Sequence, residues 1–221
     1  MEVKAYITNL GKYNEGFLIG DWVTFPITIE NYRDVMKRIG INRWYEEWFI
    51  TDYDIDISGV ADLLGEYENL EKLNYLAERL SELDSEKVKK YEVVLKSGLE
   101  NVSDINDLIN LTYNLDCYTI ISGMETEYDL GYHYVHEAGV YDLRNLGALV
   151  GYIDYKRYGR DVVAADGGVF YESGYLYPNG ESWREVFNGD RAEIPLKYRV
   201  FEWDKPEIET ELIGKEKAYE R

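Results

Sequence analysis

The sequence predicts an α+β protein built as an elongated chain of small modules. The first observation is a pair of alternating, β-rich segments near the N-terminus, separated by turn residues. The second is a run of short helical segments in the middle of the chain, whose leucines recur at helical spacing. The third is a return to β-branched and aromatic segments beyond residue 116. Because modules this small enclose little core, we expect an extended arrangement rather than a sphere.

The N-terminal module, residues 1–60, should be a small antiparallel sheet with one helix. Alternation predicts strands, a turn rich in glycine predicts a hairpin, and a threonine before an apolar face predicts a helix cap. The elements expected in order are a strand over Val3 to Thr8, a turn over Gly11 to Gly16, a strand over Phe17 to Phe25, a helix capped by Thr28 and running to Ile39, and a strand over Glu47 to Tyr53.

Residues 61–115 should form a helical module. Its leucines make one apolar stripe per helix, and short helices of this kind are stable only when packed against one another. The expected helices are one beginning at Asn69, one capped by Ser85 and closed by Gly98, and one capped by Ser103.

Residues 116–177 should form a mixed α/β module, and residues 178–221 an extension of unknown role. Glycines mark the predicted helix ends and a Glu-Ser-Gly sequence marks a hairpin. The elements expected are a strand over Cys117 to Ser122, a helix over Glu127 to Ala138 ended by Gly139, a helix within Leu143 to Tyr158 ended by Gly159, a hairpin over Val169 to Tyr177, strand-like pieces through Trp203, and a charged tail over Lys205 to Arg221.

Negative charge is concentrated in the middle of the chain. The formal net charge is −19, and residues 44–136 contain 21 acids and six bases, a net charge of −15. The stretch Trp44 to Glu71 has nine acids and no Lys or Arg, and large aromatic rings lie between its carboxylates. This sign disfavours direct binding to nucleic acid or to anionic membranes. A negative surface instead favours a basic protein, or a protein whose own ligand is DNA, as the partner. For comparison, 19 charges correspond to roughly 32 Å of axis in duplex DNA.

The motifs for catalysis and metal binding are weak. His133 and His136 lack the spacing of a zinc motif, and Asp52, Asp54 and Asp56 lack the glycine and glutamate that complete a calcium loop. As alternating strand residues these three aspartates should share one face, which makes sense if a cationic surface meets them. The sequence thus predicts no metal, no cofactor and no enzymatic activity.

The single cysteine, Cys117, lies in an apolar strand and indicates core packing in a reducing compartment. No signal-peptide pattern and no apolar run of membrane-spanning length is seen, so we expect a cytoplasmic protein.

Several segments together resemble the ArdA antirestriction proteins of conjugative transposons and plasmids. Their order and spacing agree over roughly residues 3–177, whereas residues 178–221 have no counterpart in the shorter relatives. The matching segments are Tyr6 to Gly16 (YITNLGKYNEG), Gly20, Trp22, Phe25-Pro26, Tyr45 to Tyr53, and Tyr152 to Asp161 (YIDYKRYGRD).

The resemblance implies a DNA mimic of three small domains, mixed α/β, helical and mixed α/β. It implies an elongated homodimer formed through the C-terminal domain, which occupies the DNA channel of type I restriction-modification enzymes. The family's antirestriction motif falls near Thr126 to Gly139, and we assign Tyr152 to Asp161 to folding or dimerisation. The carboxylates expected to stand in for phosphates are Glu46, Glu47, Asp52, Asp54, Asp56, Asp62, Glu66, Glu68, Glu71, Glu78, Glu82, Asp84, Glu86, Glu100, Asp104, Asp107, Glu125, Glu127 and Asp129.

Two other functions are compatible with the composition. The chain could be an acidic adaptor for another basic or DNA-binding protein. Paired carboxylates beside Trp and Tyr are also typical of carbohydrate-active enzymes, and a concave pocket with two converging carboxylates would favour that alternative.

Overall fold

Two small antiparallel sheets and several short helices make up the protein, which we describe from a computed structural model covering residues 1–172 and 174–199. The predicted α+β class is confirmed. Contacts divide the described residues into two compact units, one made of Met1–Glu82 with residues 187–199, and one made of Leu83–Val186. The elongated three-domain arrangement remains a prediction. Among the described residues, no helix has the length and apolar character needed to cross a membrane.

The first unit contains a sheet in the order β2-β1-β3, formed by β1 (Val3–Asn9), β2 (Gly20–Phe25) and β3 (Trp48–Ile55). The alternation seen in the sequence places one face of β1 inward, and its inward residues are almost completely buried.

Two predictions here were wrong in detail. The expected turn at Gly11 to Gly16 begins as a short helix, α1 (Leu10–Asn14), because the Asn9 side chain caps the Lys12 amide at 2.9 Å.

The second difference is that the strand expected from Phe17 begins only at Gly20, since β1 pairs with β2 from Thr8 opposite Gly20 to Val3 opposite Phe25. Phe17, Leu18 and Ile19, which directly precede Gly20, are exposed.

Two helices complete this unit as the cap residues predict. α2 (Ile29–Arg38) begins at Thr28, whose hydroxyl accepts the Asn31 amide, and α3 (Leu70–Ser81) begins at Asn69. The leucines of α3 are fully buried. The Asn74 side chain pairs with both backbone groups of Ile27, at 2.7 and 3.1 Å, and so ties α3 to the chain after β2.

The second unit has four helices and a second sheet among its described residues. The helices are α4 (Ser85–Ser97), α5 (Ile105–Tyr113), α6 (Glu127–His136) and α7 (Tyr155–Asp166). The strands are β4 (Tyr118–Ser122), β5 (Val169–Tyr171) and β6 (Gly174–Pro178), in the order β4-β6-β5. The β5–β6 hairpin confirms the predicted one. The caps of α4 and α5 are Asp84 and Asp104, each one residue from the predicted Ser85 and Ser103.

Helices α6 and α7 cross unusually closely at two glycines. A Cβ on Gly131 would lie 1.9 Å from the Tyr155 carbonyl oxygen, and one on Gly159 would lie 1.8 Å from the Glu127 carbonyl oxygen. The prediction that Gly159 ends a helix within Leu143 to Tyr158 was therefore wrong. That stretch holds two 3-10 turns, Leu143–Asn145 and Gly147–Tyr152, and Gly159 is buried inside α7.

The chain after β6 is well packed over its described part. Asn114 bonds both backbone groups of Arg184 at 2.8 Å. Phe187, Ile194 and Tyr198 are then buried within the first unit. No strand occurs between Pro178 and residue 199, where two 3-10 turns replace the predicted strand-like pieces. The remainder of that prediction, through Trp203, and the predicted charged tail lie outside the described residues.

Candidate functional site

The structure places most of the predicted carboxylates on the surface. Twelve of the 19 are exposed, six are half-buried and one is buried. The exposed ones are Glu46, Glu47, Asp52, Asp54, Asp56, Asp62, Glu66, Glu82, Asp84, Glu86, Asp104 and Glu125, and the half-buried ones are Glu68, Glu78, Glu100, Asp107, Glu127 and Asp129. Most of this charge is therefore available to solvent, part of it on helices and strands and part of it in the loops between them.

Three aspartates lie on the outward face of the first sheet. Asp52 and Asp54 alternate along β3, and Asp56 follows directly, so all three are exposed as the spacing predicts. The Lys4 ammonium lies 3.8 Å from the Asp54 carboxylate, and the N-terminal ammonium lies 3.9 Å from the Asp56 carboxylate. The chain thus supplies part of the cationic environment that reduces the repulsion among these aspartates.

Several carboxylates also stabilise helix N-termini. Asp84 and Asp104 accept backbone amides as N-caps, and Asp107 accepts the amide and hydroxyl of Ser103 at 2.9 Å. Asp129 and Thr126 form a reciprocal capping box at the start of α6. Negative charge is favourable there because the positive end of the helix dipole and unpaired amides lie at the N-terminus. These residues serve the fold whether or not they contact a partner.

Glu71 is not a surface residue. It is 1% exposed, and its carboxylate makes two bonds with the Arg191 guanidinium, at 2.6 and 2.8 Å. A charge buried this deeply requires its partner, so the pair joins α3 to the segment after Phe187. We therefore remove Glu71 from the set of carboxylates expected to contact a partner.

Four other carboxylates of the predicted set each contact a specific partner. The pairs are Glu68 with the Gly65 amide, Glu78 with Lys197, Glu82 with Arg79, and Glu100 with the Tyr118 hydroxyl. Burial and the adjacent Glu100 carboxylate both raise the pKa of Tyr118, so this phenol remains a neutral donor.

Of the twelve exposed carboxylates of the predicted set, nine make no ion pair within the described part of the chain. They are Glu46, Glu47, Asp52, Asp62, Glu66, Asp84, Glu86, Asp104 and Glu125. Because no cation of the described chain neutralises them, these residues provide the strongest attraction for an external basic surface.

The candidate motif at Thr126 to Gly139 is largely helix α6. His133 Nδ1 lies 2.9 Å from Glu137, and His136 Nε2 lies 2.8 Å from the Tyr155 hydroxyl. In the residues that the structure describes, no three His, Cys, Asp or Glu side chains are grouped to hold a metal ion. His136 thus joins α6 to α7, whereas His133 pairs with the residue that caps the C-terminus of its own helix.

A small cleft beside α6 is lined by two carboxylates, Asp129 and Glu137, together with Tyr128 and Tyr132. Glu137 directly follows α6 and lies eight positions after Asp129, which puts their backbones about 12 Å apart along the helix axis. Glycosidase carboxyl groups lie roughly 5 to 9.5 Å apart. The cleft therefore does not favour the carbohydrate-active alternative.

Sequence reasoning missed a second feature, a set of exposed apolar side chains within residues 140–152. Leu149 is 64% exposed and Tyr152 is 85% exposed, and Val140 and Tyr141 are also exposed. Only the mixed rings and charges from Tyr152 to Asp161 pointed to this region, because exposure of an apolar side chain in a loop cannot be read from composition.

Comparison with known proteins agrees with these observations. The model of one protein family, described as antirestriction protein (ArdA), matches residues 5–177. No curated protein sequence matched the chain. Since the matched region covers both sheets and most of the acidic surface, and well over half of the sequence, the chain belongs to the ArdA family of antirestriction proteins.

Proposed function

We propose that this protein inhibits type I restriction-modification enzymes as a DNA mimic in the cytoplasm, without catalysis. Its exposed carboxylates would lie along the DNA-binding groove of the enzyme, where phosphates otherwise lie. Family membership supports the antirestriction function. The observation that carries the mimicry is the set of exposed carboxylates without ion pairs in the acidic middle part of the chain.

The charge density is of the right order for this role. The net charge of −15 over residues 44–136 corresponds to roughly 25 Å of duplex axis. Alternate residues of a strand lie about 6.7 Å apart, so Asp52, Asp54 and Asp56 supply about half the axial charge density of one DNA strand. Carboxylates from the neighbouring loops and helices would supply the rest.

We also propose that the protein is a homodimer formed through the second unit. The exposed apolar side chains of residues 140–152 form a surface that a second copy would cover. Two copies would double the length of the mimic. The elongated arrangement of domains at 1–60, 61–115 and 116–177 belongs to the same proposal.

The direct test is inhibition of a purified type I enzyme by the full-length protein. In excess and at 50 mM salt it should block DNA binding and cleavage, and inhibition should weaken steeply at 200 mM salt because counterions compete for the groove. If the enzyme binds and cleaves DNA at low salt as well as it does without the protein, the proposal is wrong.

Charge-neutral variants test which carboxylates matter. Changing Glu46, Glu47 and Glu66 together to glutamine should weaken inhibition by about three- to thirtyfold, since exposed charges each contribute little. The control changes Glu181 and Glu185 to glutamine, and it should inhibit like the wild type. Equal loss per charge removed in the two variants would point to total charge rather than to these three residues.

The dimer is tested separately by sedimentation. Leu149→Asp with Tyr152→Asp should yield a monomer, whereas Leu196→Asp, which charges an exposed leucine of the first unit, should leave the dimer intact. A wild-type protein that sediments as a monomer at micromolar concentration would contradict this part.

A further inference from the structure

Three aromatic rings form a connected row at the start of β3. Phe49 is buried, and its ring centroid lies 5.2 Å from that of Tyr13 on one side and 6.3 Å from that of Tyr67 on the other. Tyr13 is 50% exposed and Tyr67 is 69% exposed. The buried central ring therefore fixes two flanking rings in place while their outer parts remain open to solvent.

Two exposed carboxylates belong to residues that adjoin this row along the chain, since Glu47 precedes Phe49 by two positions and Glu66 directly precedes Tyr67. The Glu47 carbonyl accepts the Leu10 amide at 3.0 Å, which places this residue beside the beginning of α1. The Glu66 carbonyl accepts the Ile50 amide at 2.7 Å, which places this residue beside β3. Both side chains are exposed and make no ion pair among the described residues. We name Tyr13, Glu47, Phe49, Glu66 and Tyr67 the ring-and-carboxylate surface.

The neighbouring residues show how such a combination holds a cation. The Lys12 ammonium lies 4.1 Å from the centroid of the Tyr45 ring and 2.8 Å from the Glu15 carboxylate. The Arg43 guanidinium lies 4.6 Å from the centroid of the Trp44 ring. The Lys12 ammonium also donates a hydrogen bond to the Tyr45 hydroxyl at 2.7 Å, so a tyrosine and a carboxylate hold this cation together, whereas Arg43 lies against a ring.

We propose that the ring-and-carboxylate surface binds arginine side chains of the protein partner. Each guanidinium would stack on Tyr13 or Tyr67 and donate hydrogen bonds to Glu47 or Glu66. Arginine fits better than lysine because its planar group stacks on rings, pairs with carboxylates through two bonds and is weakly hydrated. The identity of the partner rests on the proposed function, since grooves that bind DNA phosphates are rich in arginine.

This surface differs from a plain array of charge in its response to salt. Stacking of a guanidinium on a ring is less screened than attraction between exposed charges. The mimic would thus gain a contact that DNA phosphates do not offer, and this contact would lose less affinity to added salt than the exposed ion pairs do.

The test compares octa-arginine with octa-lysine, two peptides of equal charge, by calorimetric titration of the full-length protein at 150 mM salt. The wild type should bind octa-arginine about tenfold more tightly. Tyr13→Leu with Tyr67→Leu should abolish this preference, and Tyr13→Phe with Tyr67→Phe should preserve it because the rings remain. Phe17→Leu, which removes an exposed ring elsewhere in the unit, is the matched control and should also preserve it.

Equal affinity for the two peptides, or a preference that survives the double leucine variant, would overturn the inference. A change of sedimentation in that variant would assign the surface to a second copy of the chain and would overturn it as well. Inhibition of a type I enzyme is measured separately. If the arginine preference holds while no inhibition occurs, the proposed function fails and the binding chemistry stands.

Discussion

Replacing Gly131 by alanine should destabilise the Leu83–Val186 unit severely. The new Cβ would lie 1.9 Å from the Tyr155 carbonyl oxygen and 2.9 Å from the Gly159 nitrogen. An ordinary carbon–oxygen contact is about 3.3 Å, so α6 and α7 would have to separate by about 1.4 Å. Overpacking typically costs about 1–3 kcal/mol, and we expect the upper end because the obstacle is helix backbone rather than a flexible side chain.

Thermal and urea unfolding of the intact protein measure this effect. A loss of about 2–3 kcal/mol from a unit of this size should lower Tm by roughly 10 °C or more. Gly151→Ala is the control, since a Cβ at this exposed glycine would meet no atom within 4 Å, and it should leave Tm nearly unchanged. If Gly131→Ala melts within about 1 °C of the wild type, the close crossing does not hold the two helices together as we argue.

Three further outcomes follow from the carboxylates. Asp104→Ala should cost about 1 kcal/mol in urea unfolding because it removes a helix cap, whereas Asp104→Asn should be nearly neutral; equal losses would deny the capping role. Arg191→Gln should cost about 3 kcal/mol because it leaves Glu71 buried without its ion pair, and a loss below about 0.5 kcal/mol would contradict this. The hydrogen bond from Lys12, and then one from Tyr45, lower the pKa of Glu15, so its stabilising contribution is present above its ordinary pKa of 4.5 and is lost as pH falls through the lowered value. Carboxyl-detected NMR should show this pKa return towards 4.5 in Lys12→Met, and an unchanged pKa would refute the cause.

Local backbone chemistry was readable from the sequence. Thr28 and Asn69 cap the predicted helices because each precedes an amphipathic run and offers a side-chain oxygen to free amides. The caps at Asp84 and Asp104 were missed by one residue, since each lies beside a serine that can cap equally well. Sequence alone gives no way to choose between two adjacent cap residues.

Gly159 shows why the rest could not be predicted. A glycine either ends a helix in the left-handed conformation or allows another backbone to approach, and the sequence does not distinguish the two. Here Gly167, at φ +70°, ends α7, while Gly159 permits the crossing with α6. The second role depends on a helix that lies elsewhere in the chain.

The candidate site, too, could be predicted from the sequence only in part. Charge segregation correctly indicated an exposed acidic middle region, because charged side chains remain in water unless they are paired. It could not single out Glu71, whose partner lies 120 positions away. The row formed by Tyr13, Phe49 and Tyr67 likewise depends on contacts among α1, β3 and a later loop.

The packing of Phe187, Arg191, Ile194 and Tyr198 into the first unit has a practical consequence for anyone shortening this chain. A fragment cut at residue 177, where the family match stops, would remove the Arg191 guanidinium from the buried Glu71 carboxylate and would remove the buried side chains of Phe187, Ile194 and Tyr198 from the first unit. Expression fragments should therefore extend at least to residue 199. A chain trimmed at 177 would need a neutral residue in place of Glu71 and new polar residues where the removed side chains had packed.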